Sequence, residues 1–567
     1  MAWKSNQNPM FRSAFSESIF KLKYAHTGAE TMEAMANTVI DDVCGDLRTN
    51  ETRLLPLDEL DRLKEYIRDL KFVPGGRYLY YAGRKNRFYN NCFLLKAEED
   101  TREDWADLSW RAESCLMTGG GIGVDYSVYR PSGAALGGTG GTASGPIPKM
   151  KMINSIGANV MQGGARRSAI YASLNWQHGD IQAFLTAKDW DTMPVGNTGQ
   201  SLKDIKEADF NFPAPLDMTN ISVNYDTDWL MQYWKTGDVG DVFRQNVRQA
   251  LRTAEPGFSF NFFDKENETL RNACTEVTSE LDSDCCNLAS INMGRVQSLE
   301  EFADIVELGT KFLMCGTLRA DLPYQKVHDV REATRRLGLG LMGMHEWLIK
   351  KGYKYECVPE LHQWLSVYKG VSDKTSDAFA DSLSISRPVA KRAIAPTGSI
   401  GILAGTTTGV EPLFAVAYKR RYLTGSQRWK YQYVVDSAAQ ELIDHYGVDP
   451  ENIESALDLA ENYEQRMKFQ ADVNDYVDMS ISSTINLPSW GSKLNNEDTV
   501  DNFANTLASY AHRLRGFTCY PDGSRGGQPP TVVPYSEAVD KLGTEFDEHI
   551  ETHDICEISG QGGSCGV

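Results

Sequence analysis

Residues 271–292, RNACTEVTSELDSDCCNLASIN, place three cysteines, a carboxylate and several amides in one short span. Asn272, Cys274 and Glu276 alternate, so on an extended segment or at a loop tip their side chains point the same way and set a thiol between a carboxamide and a carboxylate. Cys285 and Cys286 follow closely enough for the chain to fold back and bring a second thiol beside the first. This arrangement suits chemistry better than packing, and the rest of the chain reads outward from it.

Two glycine-punctuated regions flank the span. Upstream, NNCFLL (90–95), GGGIGVDYSVYRPSG (119–133), LGGTGGTASG (136–145) and MQGGARRSAIYASLNW (161–176) carry short apolar segments broken by glycine. Glycine is too frequent there for helix interiors, and backbone amides in such turns can cradle phosphate, with Arg166 and Arg167 adding charge. Any one of these loops alone reads as an ordinary α/β turn; the succession points towards nucleotide binding, although none matches a Walker A loop or a strand-bound GxGxxG. Downstream, AIAPTGSIGILAGTTTGVEPLF (393–414) puts Pro396, Thr397, Gly398, Ser399 and Ile400 after a short apolar strand. That turn can be a phosphate seat or a plain helix cap.

Between these motifs, ISVNY (221–225) and SFNFF (259–263) read as strands and 298–319 as an amphipathic helix, an alternation that implies an α/β architecture. Residues 17–70 read as helical packing elements. Leu57, Leu60, Leu63, Ile67 and Leu70 share one face of a helix expected to stop at Pro74-Gly75-Gly76.

Composition bounds the function. The chain has 567 residues, 77 acidic against 58 basic, and a formal charge of −19. Such a balance argues against a nucleic-acid groove or an anionic membrane surface while leaving small anionic substrates open. No apolar run approaches the roughly 18 residues of a membrane span, and MAWKSNQNPM lacks the apolar core of a signal peptide, so a cytoplasmic location is expected. Eleven thinly spread cysteines suit reduced or catalytic thiols. Without a CxxC pair there is little support for structural zinc, and no metal ligand set is read. Cys556 and Cys565 lie in a Gly/Ser/Gln-rich end, DICEISGQGGSCGV, expected to be mobile; an exposed dithiol there could pass electron pairs to a buried disulfide by exchange.

Taken together and in order, these motifs resemble the catalytic subunit of a ribonucleotide reductase. NNCFLL is similar to the segment holding the first redox cysteine, MQGGARRSA to the loop coupling effector to substrate choice, and NACTE to the asparagine, thiyl cysteine and glutamate loop. CNLASIN is similar to the second redox segment, and APTGSIGILAGTTTGVEPLF to the substrate-phosphate turn. The resemblance implies a ten-stranded α/β barrel over residues 86–520, with a helical region at 1–85 lacking an ATP-cone module and a tail at 521–567.

It also implies roles. Cys274 would form the thiyl radical that takes the 3′-hydrogen, Glu276 would be the general base and Asn272 would orient the sugar hydroxyls. Cys92 and Cys286 would supply two electrons as they become a disulfide, which Cys556 and Cys565 re-reduce. Cys285 receives no role. Residues 396–400 would hold the substrate phosphates. Asp100, Gly163, Gly164, Arg166 and Arg167, with loops 133–144 and 161–169, would bind dNTP or ATP effectors.

Where this family usually has Asn-Pro-Cys-Gly-Glu, the chain has Asn272-Ala273-Cys274-Thr275-Glu276, which keeps the polar residues. Where classes fed by a metal-containing partner subunit carry adjacent relay tyrosines, it has Cys519-Tyr520. The resemblance is therefore to the adenosylcobalamin-dependent class, with a homodimer and a thioredoxin-like reductant expected. The alternatives are a chain receiving its radical through Tyr520 from a separate metal-containing subunit, a glycyl-radical lyase, and a non-catalytic redox-sensitive nucleotide sensor.

Overall fold

The computed structural model describes residues 10–48, 51–160, 168–196, 199–208, 212–423, 429–524, 531–541 and 545–547. After the short strand β1 (Phe72–Pro74) come five strands, β2 (Cys92–Lys96), β3 (Gly121–Asp125), β4 (Ile170–Asn175), β5 (Thr219–Tyr225) and β6 (Gly257–Phe260). β2 to β6 pair in that order and all run parallel. A hairpin of β7 (Leu270–Arg271) and β8 (Thr278–Ser279) follows, then β9 (Asp284–Asn292) and β10 (Leu337–Met342). The hairpin β11 (Ala417–Leu423) and β12 (Trp429–Val435) precedes β13 (Thr484–Leu487) and β14 (Gly516–Pro521).

β9 and β10 are parallel, as are β13 and β14. The two parallel groups meet antiparallel at β2 with β9 and at β6 with β14. Between β10 and β13 the chain at 392–394 fills the gap, bridging Leu339 to Arg392 and Ile394 to Ile481, both parallel. Ile394 N donates to Ser480 O at 3.2 Å and Ser482 N to Ile394 O at 2.8 Å. With this stave the ring closes as a barrel of ten, two parallel halves of five joined along two antiparallel seams. The hydrogen-bonded sheet also counts ten strands, but one of these is β1, which lies outside the ring against the far end of β9.

Side-chain alternation explains what the barrel encloses. Ile122, Val124, Ile170, Ala172, Leu174, Ile221, Val223, Tyr225, Phe258 and Phe260 all pack into one outer core beneath the helices. The intervening residues face inwards and are small or polar: Gly121, Gly123, Tyr171, Ser173, Asn220, Ser222, Asn224 and Ser259. Some inward polar groups pair with one another, as where Asn224 Nδ2 donates to Ser173 Oγ at 3.0 Å, while Asn224 Oδ1 is buried without a partner. A parallel barrel packed with Val and Ile would be apolar inside; the interior of this one is lined by small and polar side chains.

The N-terminal helices include Met32–Val43 and Leu57–Arg68. Leu60, Leu63 and Ile67 are buried as expected, but Leu57 is exposed and the helix ends at Asp69, with Leu70 left-handed at φ 55°. Pro74 belongs to β1, so it is the Leu70 turn and not the Pro-Gly-Gly that stops the helix. The SFNFF strand likewise ends at Phe260. Beyond Pro521, strands Thr531–Val532 and Glu545–Asp547 extend the β11/β12 hairpin into a four-stranded sheet. No helix among the described residues is long and apolar enough to cross a membrane.

Candidate active site

The β7/β8 hairpin enters the barrel as a finger. Its tip is a tight turn: Thr275 N donates to Asn272 O at 3.0 Å, and Thr275 is left-handed at φ 71°. Of the two settings expected for the Asn-x-Cys-x-Glu residues, an extended segment or a loop tip, the chain uses the loop tip. Contacts to several staves fix the finger. A Cβ at Gly123 of β3 would lie 1.6 Å from the Arg271 carbonyl oxygen, so only glycine admits the finger there. Asn220 Nδ2 on β5 donates to Ala273 O at 3.2 Å, and Ser480 N donates to Glu276 O at 2.9 Å.

The finger's base is polar and buried. Arg271 Nη2 donates to Asn261 Oδ1 at 2.6 Å and to Arg515 O at 3.2 Å. Burial and the neighbouring Arg515 push the Arg271 guanidinium down to about 9. Burial would raise Glu268, but Arg515, Arg336 and Lys265 bring it down to about 2, and it accepts from Thr278 Oγ1 at 2.7 Å. Sequence reading missed Arg271, Glu268, Asn220, Ser480 and Gly123; for Gly123, Asn220 and Arg271 the signal that could have found them is inward parity on strands whose alternate residues are apolar, whereas Glu268 and Ser480 lie in connecting segments where no such parity exists.

At the tip, Cys274, Asn272 and Glu276 are all buried. Asn272 Nδ2 donates to Cys92 Sγ at 3.1 Å, and its Oδ1 accepts from Val277 N at 3.0 Å. Cys92 and Cys286 sit directly opposite each other across the antiparallel seam of β2 and β9, both as free thiols. Directly opposed residues of such a pair have Cβ atoms close to disulfide spacing. Burial, then Glu276, Cys286 and Cys274, push the Cys92 thiol well above its ordinary range. Burial raises Glu276 to about 7, with the Asn272 amide pulling the other way, and neither carboxyl oxygen has a complete hydrogen bond. The Ser480 hydroxyl is likewise buried without a partner. A buried carboxyl and a hydroxyl left open beside a thiol are what a polyhydroxylated substrate would complete.

Cys285 points the other way, packing opposite Phe93 in the outer core. Parity also separates Cys519 from Tyr520. Phe517 and Cys519 lie in the outer core, so Gly516, Thr518 and Tyr520 face the interior. Burial pushes the Cys519 thiol up to about 12.

The turn Pro396 to Ile400 leaves the stave at 392–394, whose neighbour is the 480–482 segment that bonds the backbone of Glu276 through Ser480 N. Thr397 is left-handed at φ 52°, its Oγ1 accepts from Gly409 N at 2.8 Å, and helix Gly398–Ala404 follows. Asp100 is elsewhere, accepting from Arg130 N at 3.2 Å and ion-paired with the Arg130 side chain at the foot of loop 133–144. Gly163, Gly164, Arg166, Arg167, Cys556 and Cys565 lie outside the described residues. Among the described residues Cys357, His362 and Asp472 have possible metal donors within 4.8 Å of one another. His362 Nδ1 is taken by the Tyr476 hydroxyl at 2.9 Å, and the Asp472 oxygens by Lys468 and Arg513.

A closed ten-stave barrel with a thiol-tipped finger facing a dithiol defines a redox enzyme that works inside a shielded cavity. A family model described as ribonucleotide reductase, barrel domain, matches residues 90–206, 219–362 and 389–520, and the chain belongs to that family. It is 26% identical over 551 residues to a vitamin B12-dependent ribonucleoside-diphosphate reductase of Mycobacterium tuberculosis, covering 86% of this chain and 74% of that one. A relative of the same description from Thermoplasma acidophilum is 26% identical over 565 residues, covering 89% and 72%. A ribonucleoside-diphosphate reductase subunit alpha from Synechocystis is 23% identical over 316 residues, covering 48% and 41%.

Proposed function

We propose that this chain reduces ribonucleoside diphosphates to 2′-deoxyribonucleoside diphosphates with adenosylcobalamin as radical source. The observation that carries this reading is the convergence of Cys274, Asn272, Glu276, Cys92 and Cys286 inside one closed barrel. Cys274 takes the 3′-hydrogen, which an unreactive C–H bond yields only to a radical. Glu276, poised near neutrality, removes the 3′-hydroxyl proton, and Asn272 holds the sugar hydroxyls. The 2′-hydroxyl then leaves as water, and Cys92 and Cys286 give two electrons and two protons as they close a disulfide. Burial keeps solvent from quenching the radical.

Cobalamin dependence is supported by the relatives so described, which align over most of the chain while the subunit-alpha relative aligns over about half. A Cβ at Gly516 would meet Ser480 Oγ at 3.3 Å and Thr275 Oγ1 at 3.6 Å, so glycine lets β14 pack this close to the finger tip. Gly516, Thr518 and Tyr520, the inward residues of β14, are the ones that would flank a cofactor on that side of Cys274. Bound there, adenosylcobalamin supplies the one-electron oxidant that converts the Cys274 thiol to a thiyl. The Cys519 side chain, turned into the outer core, removes the second member of a relay pair.

The remaining assignments complete the reading: a Cys556/Cys565 tail dithiol renewed by a thioredoxin-like protein, dNTP or ATP effectors at Asp100 and the loop with Arg166 and Arg167, and a homodimer. The test is deoxynucleotide formation by the purified chain with a dithiol and a ribonucleoside diphosphate. Product is expected only when adenosylcobalamin is added. Product that instead requires a second, metal-loaded protein would overturn the cofactor and keep the reductase; no product under either condition would overturn both.

A further inference from the structure

Helix Gln325–Thr334 packs against β9 on its outer side and carries three arginines at and just past its end, Arg331, Arg335 and Arg336. Arg336 has a counterion: its Nε donates to Asp284 Oδ2 at 2.6 Å, while Thr334 Oγ1 donates to Asp284 Oδ1 at 2.8 Å. The same carboxylate accepts from Ser279 Oγ of the finger hairpin at 2.7 Å.

Arg331 and Arg335 are different. They stand one turn apart, with Arg335 N donating to Arg331 O at 2.8 Å and Arg335 left-handed at φ 43°. The two residues are only 8% and 6% exposed. Arg331 Nε and Nη1 are buried without a hydrogen-bond partner. Arg335 donates only to neutral hydroxyls, Ser386 Oγ at 2.9 Å and Thr317 Oγ1 at 3.4 Å. Among the described residues no carboxylate lies within ion-pair distance of either guanidinium. The acidic group that acts on both, Glu332, is exposed. Burial holds both guanidinium groups below their ordinary value, and for Arg335 the neighbouring Arg331 adds to this. Burial and Asp284 push the nearby Cys285 thiol well above its ordinary range, so it offers no negative charge. The helix C-terminus supplies about half an elementary negative charge against two positive ones. Buried charges are ordinarily paired, and this pair of guanidinium groups lacks an anion.

We propose that Arg331 and Arg335 form a phosphate-binding site on the outer side of β9, apart from the substrate turn and the effector loops. A planar guanidinium fork matches two phosphate oxygens, and a phosphate group has oxygens and charge enough for two forks, which a single carboxylate has not. Because Thr334 and Arg336 hold Asp284, and Asp284 holds Ser279, an anion that settles this helix end also steadies the base of the finger.

The test follows thermal unfolding of the full chain in sodium phosphate and in sodium chloride at equal ionic strength, and takes an apparent phosphate affinity from the shift. Wild type is compared with Arg331→Gln, Arg335→Gln, their double variant and Arg331→Lys. Arg387→Gln is the control, since Arg387 lies close by in sequence to Ser386 but is exposed and paired with Asp381 at 2.7 Å. Phosphate is expected to stabilise wild type and the control beyond chloride. Each glutamine change should weaken the apparent affinity about tenfold, the scale of one charge-assisted hydrogen bond. Arg331→Lys, which keeps the charge and loses the fork, should lose less, and the double variant should respond to phosphate as it does to chloride. Ribose 5-phosphate in place of phosphate separates the sources of the group: tighter binding assigns the site to a phosphorylated metabolite, weaker binding to the free ion.

Hydrogen exchange on wild type locates the site without any substitution, and so decides the matter if the glutamine variants do not fold. Phosphate should slow exchange at 325–337 and, through Asp284, at 278–286. A wild type that responds no more to phosphate than to chloride, a double variant that responds as wild type does, or protection confined to other segments would each overturn the proposal.

Discussion

Glu276 holds its carboxyl in a place where being charged is costly. Its folded value of about 7 lies above the ordinary value of 4.5, so the folded state keeps the proton more tightly than the unfolded chain between these two pH values. Stability is therefore undiminished below that window and falls as pH rises through about 7, by about 3 kcal/mol when complete. Glu276→Gln, neutral throughout, should denature at higher denaturant concentration than wild type at pH 8, with the gap closing by pH 5. The same variant should lose turnover. A variant no more stable than wild type at pH 8 would show that the carboxylate is compensated in the fold. The residue types at the tip were legible in the order Asn, Cys, Glu, because a thiol set between an amide and a carboxylate has few uses in packing. The left-handed Thr275 was not, since threonine rarely adopts that conformation and nothing local announces it.

The finger hairpin has only two paired positions of its own, Leu270 with Ser279 and Arg271 with Thr278. Two such pairs are too few for a stable hairpin in isolation, so its position depends on the staves around it and on the Arg271, Glu268 and Arg515 cluster at its base. Gly123→Ala forces a Cβ against the Arg271 carbonyl and should displace Cys274 from Cys92 without opening the barrel. The expected outcome is at least a hundredfold loss of kcat, on the scale of an ångström's misplacement, with little change in the circular dichroism. Retained activity would mean that the finger tolerates sliding.

Strands with clear alternation, such as 221–225, were legible, and so was the long helix at 298–319. The stave at 392–394 was less so, because it joins the ring by isolated bridges and its short apolar run says nothing of its partners. Helix ends misled where a buried left-handed leucine, Leu70, did the work expected of proline and glycine.

At the scale of the molecule, ring closure was not legible from periodicity, since pairing between β10, the 392–394 stave and β13 joins residues far apart in sequence. The resemblance carried by five ordered motifs supplied it. The tail assignment makes its own prediction. Cys556→Ser or Cys565→Ser should complete one turnover on Cys92 and Cys286 and then stall with a thioredoxin-type protein, while a small dithiol that reaches the barrel should partly restore cycling. Quenched-flow measurement of product per chain tests this; repeated turnover of both variants with the protein reductant would remove the tail from the mechanism.

The position of Cys92 and Cys286 has one more consequence. They face each other across one of the two seams where the half-barrels meet antiparallel. The proposed disulfide would rivet those halves with a covalent bond, and each re-reduction would draw the rivet. The enzyme's electron count would then also be a mechanical record, a looser shell before reaction and a stiffer one after it, with slower amide exchange along β2 and β9 in the oxidised state.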